Sequence, residues 1–429
     1  MVWRRRSLAL LLVGLLVPAC TSHAPANVLR PQDPALVVFG SWSGTEQQHF
    51  VKVLDAFTAA TGARTRYLSA DDRYMPDVIT ARWNRRQPLD VALLPQPGLL
   101  RHYAAAGRLV PLDARTRKLV DEQYPAGWRS LASWNGQQYG VWFKAANKSL
   151  IWYDVGAFER AGVVPPDTLS GLVRVATVLR GAGEVPFAVA GYDGWTLTDW
   201  FENLYLRLAG PARYDDLAAH RIPWTDPSVG AALTVLGRLL EPGNILGGTQ
   251  NALRTSFEHS VTQAFALPAH AAMVMEGDFV AGFVTAGTHR RIGAEVDAFA
   301  FPGSYAGFPV VVGGGDVAVQ MSAAPAAARL IRFLASPQAA EVWASQGGFI
   351  SPNVDVSLAV YPDALSRTLA RQVVEAGSNF RFDLSDLLPA AFGSEPWTGM
   401  QGALRRFLKD GDVAAAQVRL EAAARAADR

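Results

Sequence analysis

The sequence predicts an α/β protein built on a mostly parallel sheet with helices on both faces. Three observations carry this. Between Ala35 and Gly107, short apolar runs alternate with segments of helical spacing, the chain order of a parallel sheet. Hydrophobic residues make up 50% of the 429 and charged residues 18%, enough apolar surface to offset the entropy of folding. The length corresponds to roughly two to three units of ~150 residues, yet no low-complexity linker divides the chain beyond Pro34.

The elements follow in order. Ala35 to Gly40 (ALVVFG) reads as a buried strand and Ser41 to Gly44 as a turn. Phe50, Val53, Leu54 and Phe57 have helical spacing within Thr45 to Thr58, and Gly62 supplies the stop. Thr65 to Leu68 is a strand, Tyr74 to Asn84 a helix, Leu89 to Leu94 a buried strand, and Leu99 to Ala106 a helix. Strand-like runs at Tyr139 to Phe143 and Ser149 to Tyr153 precede helices at Val155 to Ala161 and Leu169 to Arg180. Pro186 to Ala190 reads as a strand, and Asp199 to Leu208 as a helix ended by Gly210-Pro211. A helix at Ser228 to Leu240, a strand at His270 to Met275 and a helix from Asp278 follow. Ala298 to Phe301 and Val317 to Met321 are strands, Ala324 to Ser345 a helical hairpin, and the last ~50 residues are helical by propensity.

Composition excludes several classes. Forty basic residues against thirty-eight acidic ones leave a net charge of +2, too little to track a phosphate backbone, so no nucleic acid partner is expected. A single cysteine rules out an internal disulfide and Cys-rich zinc sites, and the seven histidines lack metal-ligand spacing, so neither metal nor cofactor is expected. Arg4 to Arg6 followed by the ten apolar residues Leu8 to Val17 form a signal peptide over residues 1–19. That run spans ~15 Å as a helix, about half of a hydrocarbon core. Val17-Pro18-Ala19-Cys20 resembles a bacterial lipobox, which implies cleavage before Cys20 and a lipid on its thiol. Residues 20–34, small and with three prolines, read as a tether from that anchor.

Longer phrases resemble the family 1 extracellular solute-binding proteins, the maltose-binding protein group of ABC importers. They are SLIWYDVGAFERAGVV from Ser149, AAMVMEGDF from Ala271, GGGDVAVQM from Gly313, and RLIRFLASPQAAEVWASQGGFISPN from Arg329. LLPQPGLL at Leu93, YGVWFKA at Tyr139, TDW at Thr198, PWTDP at Pro223, FISPN at Phe349 and WTGM at Trp397 resemble the alpha-glucoside-binding subgroup. The resemblance implies a class II periplasmic-binding-protein-like fold: two discontinuous α/β lobes joined by a multi-strand hinge. The N-terminal lobe would take residues 35–144 and 296–346, and the C-terminal lobe 145–295 and 347–429. It implies a monomeric, extracytoplasmic receptor that delivers a carbohydrate to ABC permease subunits in the membrane, and no enzyme.

Sugar binding needs two kinds of surface. Hydroxyls need paired donors and acceptors, because burying one unpaired costs roughly 1–3 kcal/mol. The C–H faces of the ring stack on aromatics. Aromatics on turns and at helix starts are therefore the candidates: Trp42 after the first strand, Trp142 before the crossing, and Trp195 after Asp193-Gly194. Phe279 and Trp397 match stacking positions of the family. Trp152, Trp200 and Trp343, spaced with apolar neighbours, read as core. The polar candidates are Thr45 and Glu46 at a helix start, Gln96 in a Pro-Gln-Pro turn, and Lys144 at the crossing. Asp199, Glu276 and Asp316 join them, with Gly314 and Gly315 in a glycine loop. Glu46 equally suits the helix dipole, Asp199 a helix cap, and the glycines a tight turn; Asp278 reads as a cap only. The alternative is a secreted glycoside-acting enzyme using Glu46, Glu276 or Asp316 as its carboxyl pair. No nucleophile elbow, His-Glu-x-x-His site or phosphate loop supports other chemistry.

Overall fold

A computed structural model describes residues 35–71, 74–87, 89–395 and 397–428. The expected signal peptide, Cys20 and the tether lie outside the described residues. Among the described residues no helix is long and apolar enough to cross a membrane.

The strands are β1 (Leu36–Gly40), β2 (Thr65–Ser69), β3 (Val91–Leu94), β4 (Ser133–Trp134), β5 (Gln137–Gln138), β6 (Gly140–Asn147), β7 (Leu150–Asp154), β8 (Met273–Met275), β9 (Val296–Ala300), β10 (Val311–Gln320) and β11 (Phe380–Phe382). A six-stranded sheet has the order β11-β10-β3-β1-β2, with β6 also on β10. β1 pairs in parallel with β2 and β3, as the strand–helix alternation predicts. β10 runs antiparallel to β3 and β6, so the sheet is mixed. A smaller sheet, β8-β7-β9, is antiparallel throughout. β9, where the second N-terminal-lobe segment was expected to begin, thus pairs within this smaller sheet. The turn after β6 passes the chain from the large sheet to the small one, and the segment between β9 and β10 returns it. A single antiparallel bridge joins Ala145 of β6 to Ile350.

Each sheet carries its own core. Phe50, Phe57, Phe143 and Trp343 anchor the one beside the large sheet, in which all eight residues of β6 are buried. Trp200, Tyr205, Tyr214 and Trp224 anchor the other. The first helix, Gly44–Thr61, buries the four apolar residues its periodicity marked and ends on Gly62 in the left-handed conformation (φ 74°).

Several expectations are corrected. Gly313 to Asp316 form no loop but lie inside β10. A Cβ on Gly313 would stand 2.4 Å from the Phe380 ring, and one on Gly315 2.4 Å from the Lys144 carbonyl oxygen, so glycine serves close strand packing. Pro186 to Ala190 forms only single bridges at Phe187, to Ile245 and Met273. The helix expected from Asp199 begins at Trp195 and resumes beyond a kink at Gly210 (φ 84°, ψ 168°), reaching Ala218. Asp199 is therefore no cap. Asp278 is none either: its Oδ1 accepts from the Asn147 N–H at 2.7 Å. Helices Ala114–Gln123 and Phe257–Ala264 were missed, although Asp113 and Ser256 cap them.

Candidate functional site

The C-terminal ends of β1 and β3 open onto one cavity of about 490 Å³, where an α/β sheet commonly binds its ligand. β1 delivers Trp42, β3 delivers Gln96, and the first turn of helix Gly44–Thr61 delivers Glu46. Lys144 enters from β6, and Gly315 and Asp316 from β10. Across the cavity stand Trp195, which opens helix Trp195–Ala218, and Phe279, which precedes helix Val280–Thr288.

Trp195, Phe257, Phe279 and Phe283 make an aromatic wall. Trp195 and Phe257 have centroids 5.3 Å apart, Phe257 and Phe279 5.4 Å, and Phe257 and Phe283 5.0 Å. Facing chemistry is polar. The buried Lys144 ammonium donates to Glu46 and lies 5.0 Å from the Trp343 ring centroid and 5.9 Å from that of Trp42. Burial alone would lower its pKa, but Glu46, Asp316 and Asp278 together hold it above the ordinary value. Gln96 Nε2 donates to Ser394 Oγ at 2.6 Å, which brings the segment before Trp397 onto the cavity.

Beneath the wall lies a buried ionic cluster. Lys148, in the turn between β6 and β7, reaches Asp199 Oδ1 at 3.3 Å and Asp383 Oδ2 at 2.5 Å, and its Nζ is 5.3 Å from the Trp195 centroid. Asp199, Glu202 and Asp383 stand close enough together to hold a metal ion. The Lys148 ammonium already supplies a cation between two of them. Glu202 accepts from the N–H groups of Leu384 and Ser385 and from the Tyr214 hydroxyl. Glu276 neighbours the Asp199 carboxyl, and a hydrogen bond between two carboxyl groups requires a proton. Burial pushes the Glu276 carboxyl up to about 8 and Asp199 well above the usual carboxylate range.

The cavity thus brings together Trp42, Glu46, Gln96, Lys144, Trp195, Phe279, Gly315 and Asp316. Thr45 lines an adjoining cavity. The structure does not bring the others to the cavity wall. Trp142 is buried against Trp128 and Phe382 (5.3 and 5.0 Å), Asp199 and Glu276 belong to the ionic cluster, and Gly314 backs onto the Lys148 side chain. Trp397 is 59% exposed beneath the Arg405 guanidinium (5.0 Å). Trp152, Trp200 and Trp343 are buried as expected. Sequence reasoning missed Lys148, Asp193, Phe257, Phe283, Asp386 and Gln401. A second lysine at the crossing was a usable signal for Lys148; Phe257 and Phe283 read only as apolar helix positions. Of the carboxyls named for a glycosidase, Glu276 is away from the cavity, Glu46 is paired with Lys144, and Asp316 lines the cavity.

Residues 41–341 match the family described as bacterial extracellular solute-binding protein. The osmoprotective compounds-binding protein GgtB of Synechocystis sp. is 33% identical over 400 residues, 91% of this chain and 93% of that protein. The alpha-glucosides-binding periplasmic protein AglE of Rhizobium meliloti is 33% identical over 382 residues, 85% and 82% of the two chains. The crystal structure of the bacterial solute receptor AcbH superimposes with a TM-score of 0.79 at 18% identity, over 92% of this chain and 99% of that one. The fold is therefore the class II periplasmic-binding-protein-like α/β fold that the sequence predicts. With a family match across most of its length and two relatives at one-third identity, the chain belongs to the bacterial extracellular solute-binding proteins.

Proposed function

We propose that the protein is the carbohydrate-binding subunit of an ABC importer. It captures an alpha-glucoside or another oligosaccharide between its two lobes and delivers it unchanged to the membrane permease. The observation that carries this is the pairing of an aromatic wall (Trp195, Phe257, Phe279) with hydroxyl-matching groups (Glu46, Gln96, Lys144) across one cavity. The first surface suits the C–H face of a sugar and the second its hydroxyls. The name of AglE, an alpha-glucosides-binding protein, supports alpha-glucosides as the class. The two lobes are built on the two sheets, one on β1, β2, β3, β6, β10 and β11 and the other on β7, β8 and β9, which moves the boundaries expected at residues 296 and 346. The ligand shifts the open–closed equilibrium by its greater affinity for the closed form. No cofactor or metal enters this reading, and the working unit is a monomer.

A thermal-shift screen of di- and trisaccharides tests it, because a ligand at ~100 times its Kd adds ~2.7 kcal/mol of stability. In the same assay Trp195→Ala is expected to weaken binding on the order of thirtyfold, about 2 kcal/mol, with the variant still folded. If no saccharide raises Tm, the carbohydrate reading falls. If Trp195→Ala binds normally, the wall is not the stacking surface.

We also propose that Cys20 carries a lipid that anchors the protein on the outer face of a membrane. Its place at the end of the Val17-Pro18-Ala19-Cys20 motif supports this. Cys20→Ala is expected to move the protein to the soluble fraction with unchanged sugar affinity. Retention in the membrane fraction would refute the anchor.

A further inference from the structure

A second cavity, of about 420 Å³, adjoins the first and shares Glu46, Phe279 and Phe283 with it. It opens between the first turn of helix Gly44–Thr61 and helix Val280–Thr288. Its wall repeats the chemistry of the first. Thr45, Thr262, Thr285 and Ser366 present hydroxyls, and Phe279 and Phe283 present rings. Among the described residues, no lysine or arginine lines it. Burial and the nearby Lys52 lower the pKa of His49 on its wall, which disfavours the charged ring. A space lined by hydroxyls, aromatic rings and carboxylates, without a cationic side chain, suits an uncharged polyhydroxylated group and disfavours an anionic one.

We infer that this second cavity is a continuation of the ligand cleft that holds the third and later rings of a neutral oligosaccharide whose first two rings fill the first cavity. The inference rests on the carbohydrate reading above and adds a preference for chain length. Phe279 and Phe283, shared by both walls, then stack at the junction between the two parts of the ligand. Glu46 is shared as well, and its pairing with Lys144 ties the junction to β6.

Gly282 offers a clean test. It lines the second cavity and not the first, and a Cβ built there meets nothing within 4 Å. It also sits inside helix Val280–Thr288, where a leucine favours the helix, so the variant is expected to fold. Wild type and Gly282→Leu are titrated calorimetrically with maltose and maltotriose and with sucrose and raffinose. The expected result is that wild type prefers the trisaccharide of a bound pair by roughly tenfold, and that Gly282→Leu loses most of that preference. Equal affinities within each pair that binds wild type overturn the inference and leave the carbohydrate reading intact. So does a trisaccharide preference that survives in Gly282→Leu. Wild type that binds none of the four overturns both.

Discussion

Replacing Lys148 by methionine is expected to destabilise the protein by about 3–5 kcal/mol, read as a fall in the midpoint of urea unfolding. The ammonium bridges Asp199 and Asp383, both fully buried, from the turn that links the two sheets. Its loss leaves the ionised Asp383 carboxylate without its counter-charge, in a place where water cannot solvate it. The triple substitution Lys148→Met, Asp199→Asn, Asp383→Asn removes charge and counter-charge together and is expected to recover most of the midpoint. Lys148→Met is also expected to weaken sugar binding in native buffer, because the ammonium supports the Trp195 ring at 5.3 Å. An unchanged midpoint in the single variant would show that the cluster contributes no net stability.

Stability is expected to fall as pH rises from about 4.5 to about 8, and Glu276→Gln is expected to remove much of that fall. Burial raises the Glu276 pKa from its ordinary 4.5 to about 8. In that window the unfolded chain has lost this proton and the folded chain keeps it, so each pH unit costs about 1.4 kcal/mol of stability. Asp199, raised for the same reason, adds to the slope. The gain from Glu276→Gln should be near zero at pH 4, grow to a few kcal/mol on the order of the integrated slope, and level off above pH 8. Asp383 acts in the opposite sense. Burial would raise it, but Lys148 and hydrogen bonds hold it well below the usual carboxylate range. Its contribution is present above about pH 4 and disappears as pH falls through its folded pKa. Urea unfolding of wild type and Glu276→Gln across pH 4 to 9 tests this, and parallel curves for the two proteins would refute it.

The elements were legible wherever a local pattern determined them. The apolar runs of β1 and β3 and the spacing of Phe50, Val53, Leu54 and Phe57 follow from which residues must face a core. Gly62 and the prolines opening helices Pro325–Leu334 and Pro337–Ala344 mark boundaries through backbone preferences that each residue carries with it. The family was legible too, because phrases spread along the chain are a property of the sequence itself.

The site was legible only in part, and Trp142 and Lys144 on β6 show why. Both read as cleft residues from their place at the crossing, and regular strand alternation would put residues two apart on one face. The register between β10 and β6 slips between Asp316 and Val317, leaving Phe143 unpaired. The bulge breaks the alternation. Trp142 turns to Trp128 and Phe382, while Phe143 packs on Trp42 and Trp343 and Lys144 reaches the cavity beside those same two tryptophans. Similarly, Asp199 and Glu276 carry polar side chains that composition assigns to a surface. Only the meeting of helix Trp195–Ala218, the β6–β7 turn and the segment after β11 buries them around Lys148. By itself the sequence determined the local elements and the family, since periodicity and backbone preference act over a few residues. Which side chains face the ligand was decided by the tertiary structure, since it depends on strand register and on charges brought together from distant parts of the chain.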